Sequence, residues 1–246
     1  MIKVKNLTKK FSDKIILNNL DLEFINGVNC LLGPNGSGKT TILLCICGMY
    51  NYDGELIING KRTKNIFTIE NLETSFVPDE DKIDYLLTGF EFLMLSNSIS
   101  KKTKNFKEKV KIYSKLFNFE PYLDILVTKY SHGTVKKLTL ISSLLNSPKI
   151  LILDEPFNGL DPEITIILKR LLKALSQNGV TIILSSHNLD IVEELSDKVF
   201  LIKDGKKLYE GTANQFKKNT TFEQQFLEIT NNSQNVDIIK NVIKFY

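Results

Sequence analysis

The chain has 246 residues, 42% of them hydrophobic and 24% charged, with a formal net charge of +4. This composition excludes a disordered protein and supplies a sizeable α/β core. No apolar run nears the roughly 18 residues that a membrane-spanning helix needs, and so modest a charge does not by itself point to nucleic acid. Three cysteines, Cys30, Cys45 and Cys47, and two histidines argue against a disulfide framework or a zinc site and fit a reducing compartment.

Residues 1–5 alternate as an edge strand does and lack the apolar core of a signal peptide. Residues 20–24 alternate again, and residues 27–32 read as a short buried strand. Phe11, between these segments, is either a core aromatic or a ring available for stacking on a base.

Gly33-Pro34-Asn35-Gly36-Ser37-Gly38-Lys39-Thr40 then fits G-x-x-x-x-G-K-[ST] at every fixed position, with a strand before it and an apolar helix from Thr41 to Cys47 behind. The glycines free the backbone to turn consecutive N–H groups toward an anion. The helix that starts near Gly38 adds its positive dipole end. Lys39 supplies a full charge to terminal phosphates and Thr40 a hydroxyl to Mg²⁺.

Residues 53–60 read as a hairpin, and residues 74–77 as a strand stopped by Pro78 and followed by Asp79-Glu80-Asp81. Residues from about 88 to 130 have helical spacing without strand signals. Lys101, Lys102, Lys104, Lys107, Lys109, Lys111 and Lys115 in that stretch form either a solvated face or a contact for anionic headgroups or an acidic loop. Ser131 is placed to cap a helix over residues 135–145, which makes Ser131-His132-Gly133-Thr134 a second possible anion site.

Residues 150–153 are apolar on both faces, as a central parallel strand is, and deliver Asp154 and Glu155 at the end where open α/β sheets bind ligands. Two adjacent carboxylates there call for a cation. Mg²⁺ held through water by Asp154 and a water polarised by Glu155 give them coherent roles. Pro162 opens the next helix, Asn178-Gly179 closes it, and a buried strand over residues 180–185 delivers Ser186 and His187 to the same edge. A helix over 189–196, a strand over 198–202 and a hairpin at Asp204-Gly205 complete the pattern. Beyond Gly211 the signals fade to helical stretches at 222–229 and 236–245.

Together these motifs resemble the ATP-binding subunit of an ATP-binding cassette (ABC) transporter over residues 1 to about 212. The phosphate loop is similar to its Walker A and residues 150–155 to its Walker B with the catalytic glutamate. Residues 158–161 are similar to its D-loop, His187 to its switch histidine and Phe11 to the aromatic that stacks on adenine. Two positions depart. The signature loop, usually Leu-Ser-Gly-Gly-Gln, stands as Tyr130-Ser131-His132-Gly133-Thr134, and Asp79 stands where a glutamine should follow Pro78.

The resemblance implies a P-loop NTPase with a RecA-like α/β core, an N-terminal antiparallel β-subdomain and an inserted helical lobe over about 88–145, with residues 213–246 as a helical tail. It implies ATP and Mg²⁺ as ligands. ATP would be held by Phe11, residues 33–40 and Thr41, and the metal by Thr40, Asp79 and Asp154. Glu155, His187 and Lys39 would serve catalysis. Ser131, His132 and Gly133 would reach the nucleotide of a second nucleotide-binding subunit, beside Asp161. Transmembrane permease subunits would be the partners at the inner face of a cell membrane, and no nucleic acid is expected. Proline followed by acidic residues looks most like bacterial exporters of drugs, antibiotics or antimicrobial peptides. An importer, or a relative acting on DNA or ribosomes, is the alternative.

Overall fold

Alternating apolar side chains build the first sheet. In the computed structural model, which describes residues 2–68, 73–79, 86–99, 105–217 and 220–230, β1 (Ile2–Phe11) and β2 (Lys14–Phe24) put Ile2, Val4, Leu20, Leu22 and Phe24 into one core. After β3 (Val28–Leu32), the phosphate loop and α1 (Lys39–Ile46), the chain returns as the hairpin β4 (Asp53–Ile58) and β5 (Lys61–Thr63), turning at Asn59-Gly60. The antiparallel order is β2-β1-β4-β5. β1 is therefore an interior strand and not the expected edge: Ile2 pairs with Phe24 on one side and with Ile58 on the other. The second pairing spans more than fifty residues, which local alternation does not encode.

The second sheet is made by runs that are apolar on both faces. β6 (Thr74–Val77) leads into α2 (Gly89–Ile99), α3 (Phe106–Leu116) and α4 (His132–Leu145). These are followed by β7 (Ile150–Leu153), α5 (Pro162–Gln177), β8 (Thr181–Ser186), α6 (Leu189–Leu195), β9 (Lys198–Lys203) and β10 (Lys206–Gly211). The order is β10-β9-β3-β8-β7-β6, parallel except for β10. Every residue of β3, β7 and β8 is buried. Leu31, Ile152 and Ile183 face α1 and the first sheet, whereas Cys30, Leu151, Leu153 and Leu184 face a core completed by Leu140, Leu168 and Val192 of α4, α5 and α6. Helices on both faces are what a parallel sheet requires.

Three helices, α2 to α4, fall in the stretch read as a helical lobe. After β10 the chain forms α7 (Ala213–Lys217), which the sequence did not signal, and α8 (Phe222–Ile229), which it did. Phe216 and Phe222 are buried with ring centroids 4.5 Å apart. The expected helix over 236–245, the acidic Glu80 and Asp81, and Lys101, Lys102 and Lys104 lie outside the described residues.

Candidate functional site: the phosphate loop and the edge of the parallel sheet

Parallel register brings the site together. Leu32 at the end of β3 pairs with Ser186 at the end of β8, and Leu153 at the end of β7 pairs with Leu184. Gly33, His187 and Asp154 follow these strand ends directly, so three distant parts of the chain emerge on one edge.

The loop is shaped to receive an anion. Gly38, the N-cap of α1, has φ +105°, a conformation that side chains rarely adopt; as a glycine it offers no capping oxygen, and the first turn of α1 holds no acidic residue. Pro34, Asn35, Gly36 and Thr40 are exposed, and Thr41 is half-buried. Ser37 Oγ is buried without a hydrogen-bond partner. Lys39 is also buried; its Nζ donates to Gly33 O at 2.8 Å and to Pro34 O at 3.2 Å. The lysine thus lies back along its own loop.

Asp154 is 1% exposed and accepts from Ser185 Oγ at 2.5 Å. Burial pushes its carboxyl above the usual range, the Ser185 and Thr40 hydroxyls pull it back, and the charges of Asp79 and Glu155 push it up further. Ser185 Oγ accepts in turn from Glu155 N at 2.9 Å. Glu155 has φ +43°, an uncommon backbone state for a non-glycine residue. Its Oε2 lies 3.0 Å from His187 Nδ1 and its Oε1 lies 3.4 Å from Lys39 Nζ. That second contact is an ion pair without hydrogen-bond geometry, so Oε1 is buried without a hydrogen-bond partner. One side chain therefore spans the loop lysine and the histidine after β8, and its Oε1 still has room for a hydrogen-bond donor.

Asp79 Oδ1 accepts from Asn158 Nδ2 at 3.2 Å, beside this cluster. Phe11 is 42% exposed at the end of β1, which removes the core reading; its ring meets Tyr50 edge-on at 5.1 Å, with Lys9 Nζ 4.7 Å from its centroid. Ser131 Oγ caps α4 by accepting from Thr134 N at 3.2 Å, as expected. His132 is exposed, and its ring packs so closely on Gly159 that a Cβ there would lie 2.6 Å from its Cδ2. Asp161 caps α5: the Ile164 amide, above all, and Lys137 at 3.1 Å hold its carboxyl below the usual range. Among the described residues no hydrogen bond or ion pair joins Ser131, His132 or Gly133 to Lys39, Asp154 or Glu155.

Three polar side chains of this region escaped the sequence reading. Ser185 binds both Asp154 and Glu155, and its signal is a buried hydroxyl directly after the apolar run Ile182–Leu184. Lys136 and Lys137 follow the signature-like loop. Lys136 lies four and seven residues before buried Leu140 and Ser143, on the inward stripe of α4, where a lysine needs partners.

These residues fit a phosphate chain with a hard cation. The uncapped α1, the orphan Ser37 hydroxyl and Lys39 suit the anion. Asp154, whose ionised form is disfavoured by burial, suits the metal. Among the described residues no three His, Cys, Asp or Glu side chains form a metal cage, so the fit is to an ion that takes most of its oxygens from phosphate and water, as Mg²⁺ does.

Comparison with known proteins agrees. The family described as ABC transporter matches residues 17–158. An ABC transporter G family member 20 from Dictyostelium discoideum is 35% identical over 234 residues, covering 93% of this chain but 32% of that protein. An uncharacterized ABC transporter ATP-binding protein of Methanocaldococcus jannaschii is 36% identical over 213 residues, covering 85% of this chain and 77% of the other. A Nod factor export ATP-binding protein I of Rhizobium sp. is 32% identical, covering 86% and 70%. A xylose import ATP-binding protein of Histophilus somni is 31% identical, covering 85% and 43%. A solved structure described as the ATP binding subunit of an ABC transporter superposes with a TM-score of 0.84 at 24% identity, covering 94% of this chain and 99% of the other, a likeness of fold.

Proposed function

The chain belongs to the ABC transporter family as one of its ATPase domains, and we propose that it hydrolyses Mg·ATP at the β3–β8–β7 edge to drive an exporter. The observation that carries this reading is Glu155, set between Lys39 and His187 with Oε1 ion-paired to Lys39 but accepting no hydrogen bond. In this reading Lys39 leaves the carbonyls of Gly33 and Pro34 for the terminal phosphates, and the amides of residues 33–41 hold the chain of phosphates. Glu155 accepts the proton of the attacking water at Oε1, which Lys39 vacates on moving to the phosphates, while His187, freed from Oε2, donates to the γ-phosphate. Thr40, Asp154 and Asp79 hold Mg²⁺, which when bound neutralises charge on the β- and γ-phosphates. Ser185 keeps the two carboxylates in register. Phe11 and Tyr50 offer aromatic faces for adenine.

Ser131, His132 and Gly133, at the start of α4, make no hydrogen bond or ion pair with Lys39, Asp154 or Glu155 among the described residues, which suits a head-to-tail dimer in which they close over the nucleotide of a second subunit near its D-loop Asp161. Residues 1–212 form the nucleotide-binding unit in this reading, with the helical lobe over about 88–145, and residues 213–246 are an appendage. Among the described residues no helix is long and apolar enough to cross a membrane; in this reading permease subunits do the spanning and hold this chain at the inner face. A groove beside the helical lobe, lined by Met49, Phe67, Phe76, Phe92 and Ser142, fits such a partner; Met49 and Phe67 are exposed there. Export is favoured by Pro78-Asp79 in place of proline-glutamine and by the Nod factor export relative.

Glu155→Gln tests the chemistry. Hydrolysis should fall about 10²–10⁴-fold while ATP binding persists; unchanged phosphate release would sink the assignment. Direction is read from the permease that co-purifies and from the side of a vesicle to which it moves cargo. Inward movement would replace export with import.

A further inference from the structure

The ladder between β6 and β7 ends at Val77, whose carbonyl accepts from Asp154 N at 2.8 Å. Among the described residues no strand pairs with the next two carbonyls, of Pro78 and Asp79. Both are taken by one side chain from elsewhere: Lys136 Nζ donates to Pro78 O at 2.7 Å and to Asp79 O at 2.9 Å. Lys136 is 1% exposed, although it carries a charge. Buried ammonium groups are tolerated only where hydrogen bonds hold them, so this contact has one geometry and little slack.

We infer that Lys136 is a positioning residue that fixes the Pro78–Asp79 corner and so aims the Asp79 carboxylate into the site beside Asp154. Asp79 is close enough for its charge to act on Asp154, and its Oδ1 is steadied from the other side by Asn158. Lys136 sits on α4, one turn beyond Ser131-His132-Gly133, and its neighbour Lys137 holds Asp161. A tilt of α4 therefore moves Asp79, and through Lys137 it also pulls on the loop after Asp154 and Glu155. The start of α4 and the metal side of the site are joined by a rod with two adjacent handles.

The inference rests on the reading of Asp79 as a metal-facing carboxylate, and one titration separates the two. Binding of a fluorescent ATP analogue to the full chain is followed against MgCl₂, and separately in EDTA. Asp79→Asn should raise the Mg²⁺ needed for half-maximal binding about tenfold. Lys136→Met, which keeps the stem and removes the donors, should do the same and leave the affinity in EDTA within about twofold. Lys136→Arg should recover most of the loss, and adding Lys136→Met to Asp79→Asn should cause no further shift. If Lys136→Met does not fold, Lys136→Gln is expected to shift the titration in the same direction by less.

A normal Mg²⁺ titration for Lys136→Met or Lys136→Gln beside a shifted one for Asp79→Asn overturns the inference and leaves the metal reading standing. So does a double variant whose shift is the product of the two singles. If Asp79→Asn itself shifts nothing, the metal role of Asp79 fails and Lys136 has no carboxylate to aim.

Discussion

Two charged clusters lie at opposite sides of the parallel sheet and are built on contrary terms. At one, Glu210 of β10 uses both carboxylate oxygens: Oε1 meets Lys198 Nζ at 2.6 Å and Oε2 meets Lys207. Lys198 also donates to Glu23 O at 2.6 Å and Lys207 to Asp21 O at 2.5 Å, so the cluster pins β10 and β9 to β2. Burial pushes the Glu210 carboxyl up, and its two lysines together bring it below the usual range. At the other cluster, Glu155 Oε1 and Ser37 Oγ are buried without a hydrogen bond, Glu155 is strained at φ +43°, and Asp154 is driven up. A cluster that completes itself holds a fold together. One that stops short of completion retains the capacity to bind.

The contrast can be broken at several points. Lys39→Ala should cost the most, lowering ATP affinity about 10²-fold in equilibrium binding; because it also takes the ion-pair partner from the buried Glu155 carboxylate, the melting temperature should fall as well, and retained affinity would mean that Lys39 belongs to the self-completing kind. Asp154→Asn should go the other way in the absence of ligand. Removing a buried charge whose ionised form is disfavoured raises the melting temperature of the nucleotide-free protein, while Mg²⁺-dependent hydrolysis is lost; a lower melting temperature would contradict the electrostatic picture.

Glu210→Gln should destabilise by about 1 kcal/mol near pH 7. A carboxyl whose folded pKa is depressed stabilises above its unfolded value, near 4.3, and loses that contribution as pH falls through the folded one. The gap between wild type and variant should therefore close on acidification below about pH 4, and a gap constant with pH would assign the loss to packing. Smallest is Ser114→Ala. Ser114 Oγ is a buried, unpartnered hydroxyl in α3, away from the site, and its removal should be neutral or stabilising by about 0.5–1 kcal/mol. A marked loss of stability there would mean that an orphan oxygen alone does not identify a binding position.

Much of this was legible because it is local. The glycine spacing of the phosphate loop, the apolar run closed by Asp154-Glu155, the cap at Ser131 and the helix start at Pro162 each occupy a few consecutive residues and form where they are expected, although α4 begins at His132, three residues before 135. What was hidden depends on distance along the chain. β1 looked like an edge because its second partner, β4, comes after the loop and α1. Lys136 falls on the inward stripe of α4, but its spacing does not name its acceptors, which lie 57 and 58 residues earlier. Ser185 carries a polar signal, but its partners lie on a different strand. Phe11 was left between two readings, since alternation gives the face of a strand and not what covers its end; here Tyr50 and Lys9 flank it and solvent reaches it.

The pairing of β8 with both β3 and β7 has one more implication, for how this sequence can change. Adding or deleting one residue within Thr181–Ser186 would invert every side chain after that point. Ser185 would swing from Asp154 toward the opposite face and His187 would leave Glu155, with composition and hydropathy almost untouched. The six positions of β8 are a ruler, and its length is as fixed as the glycine spacing of the phosphate loop beside it.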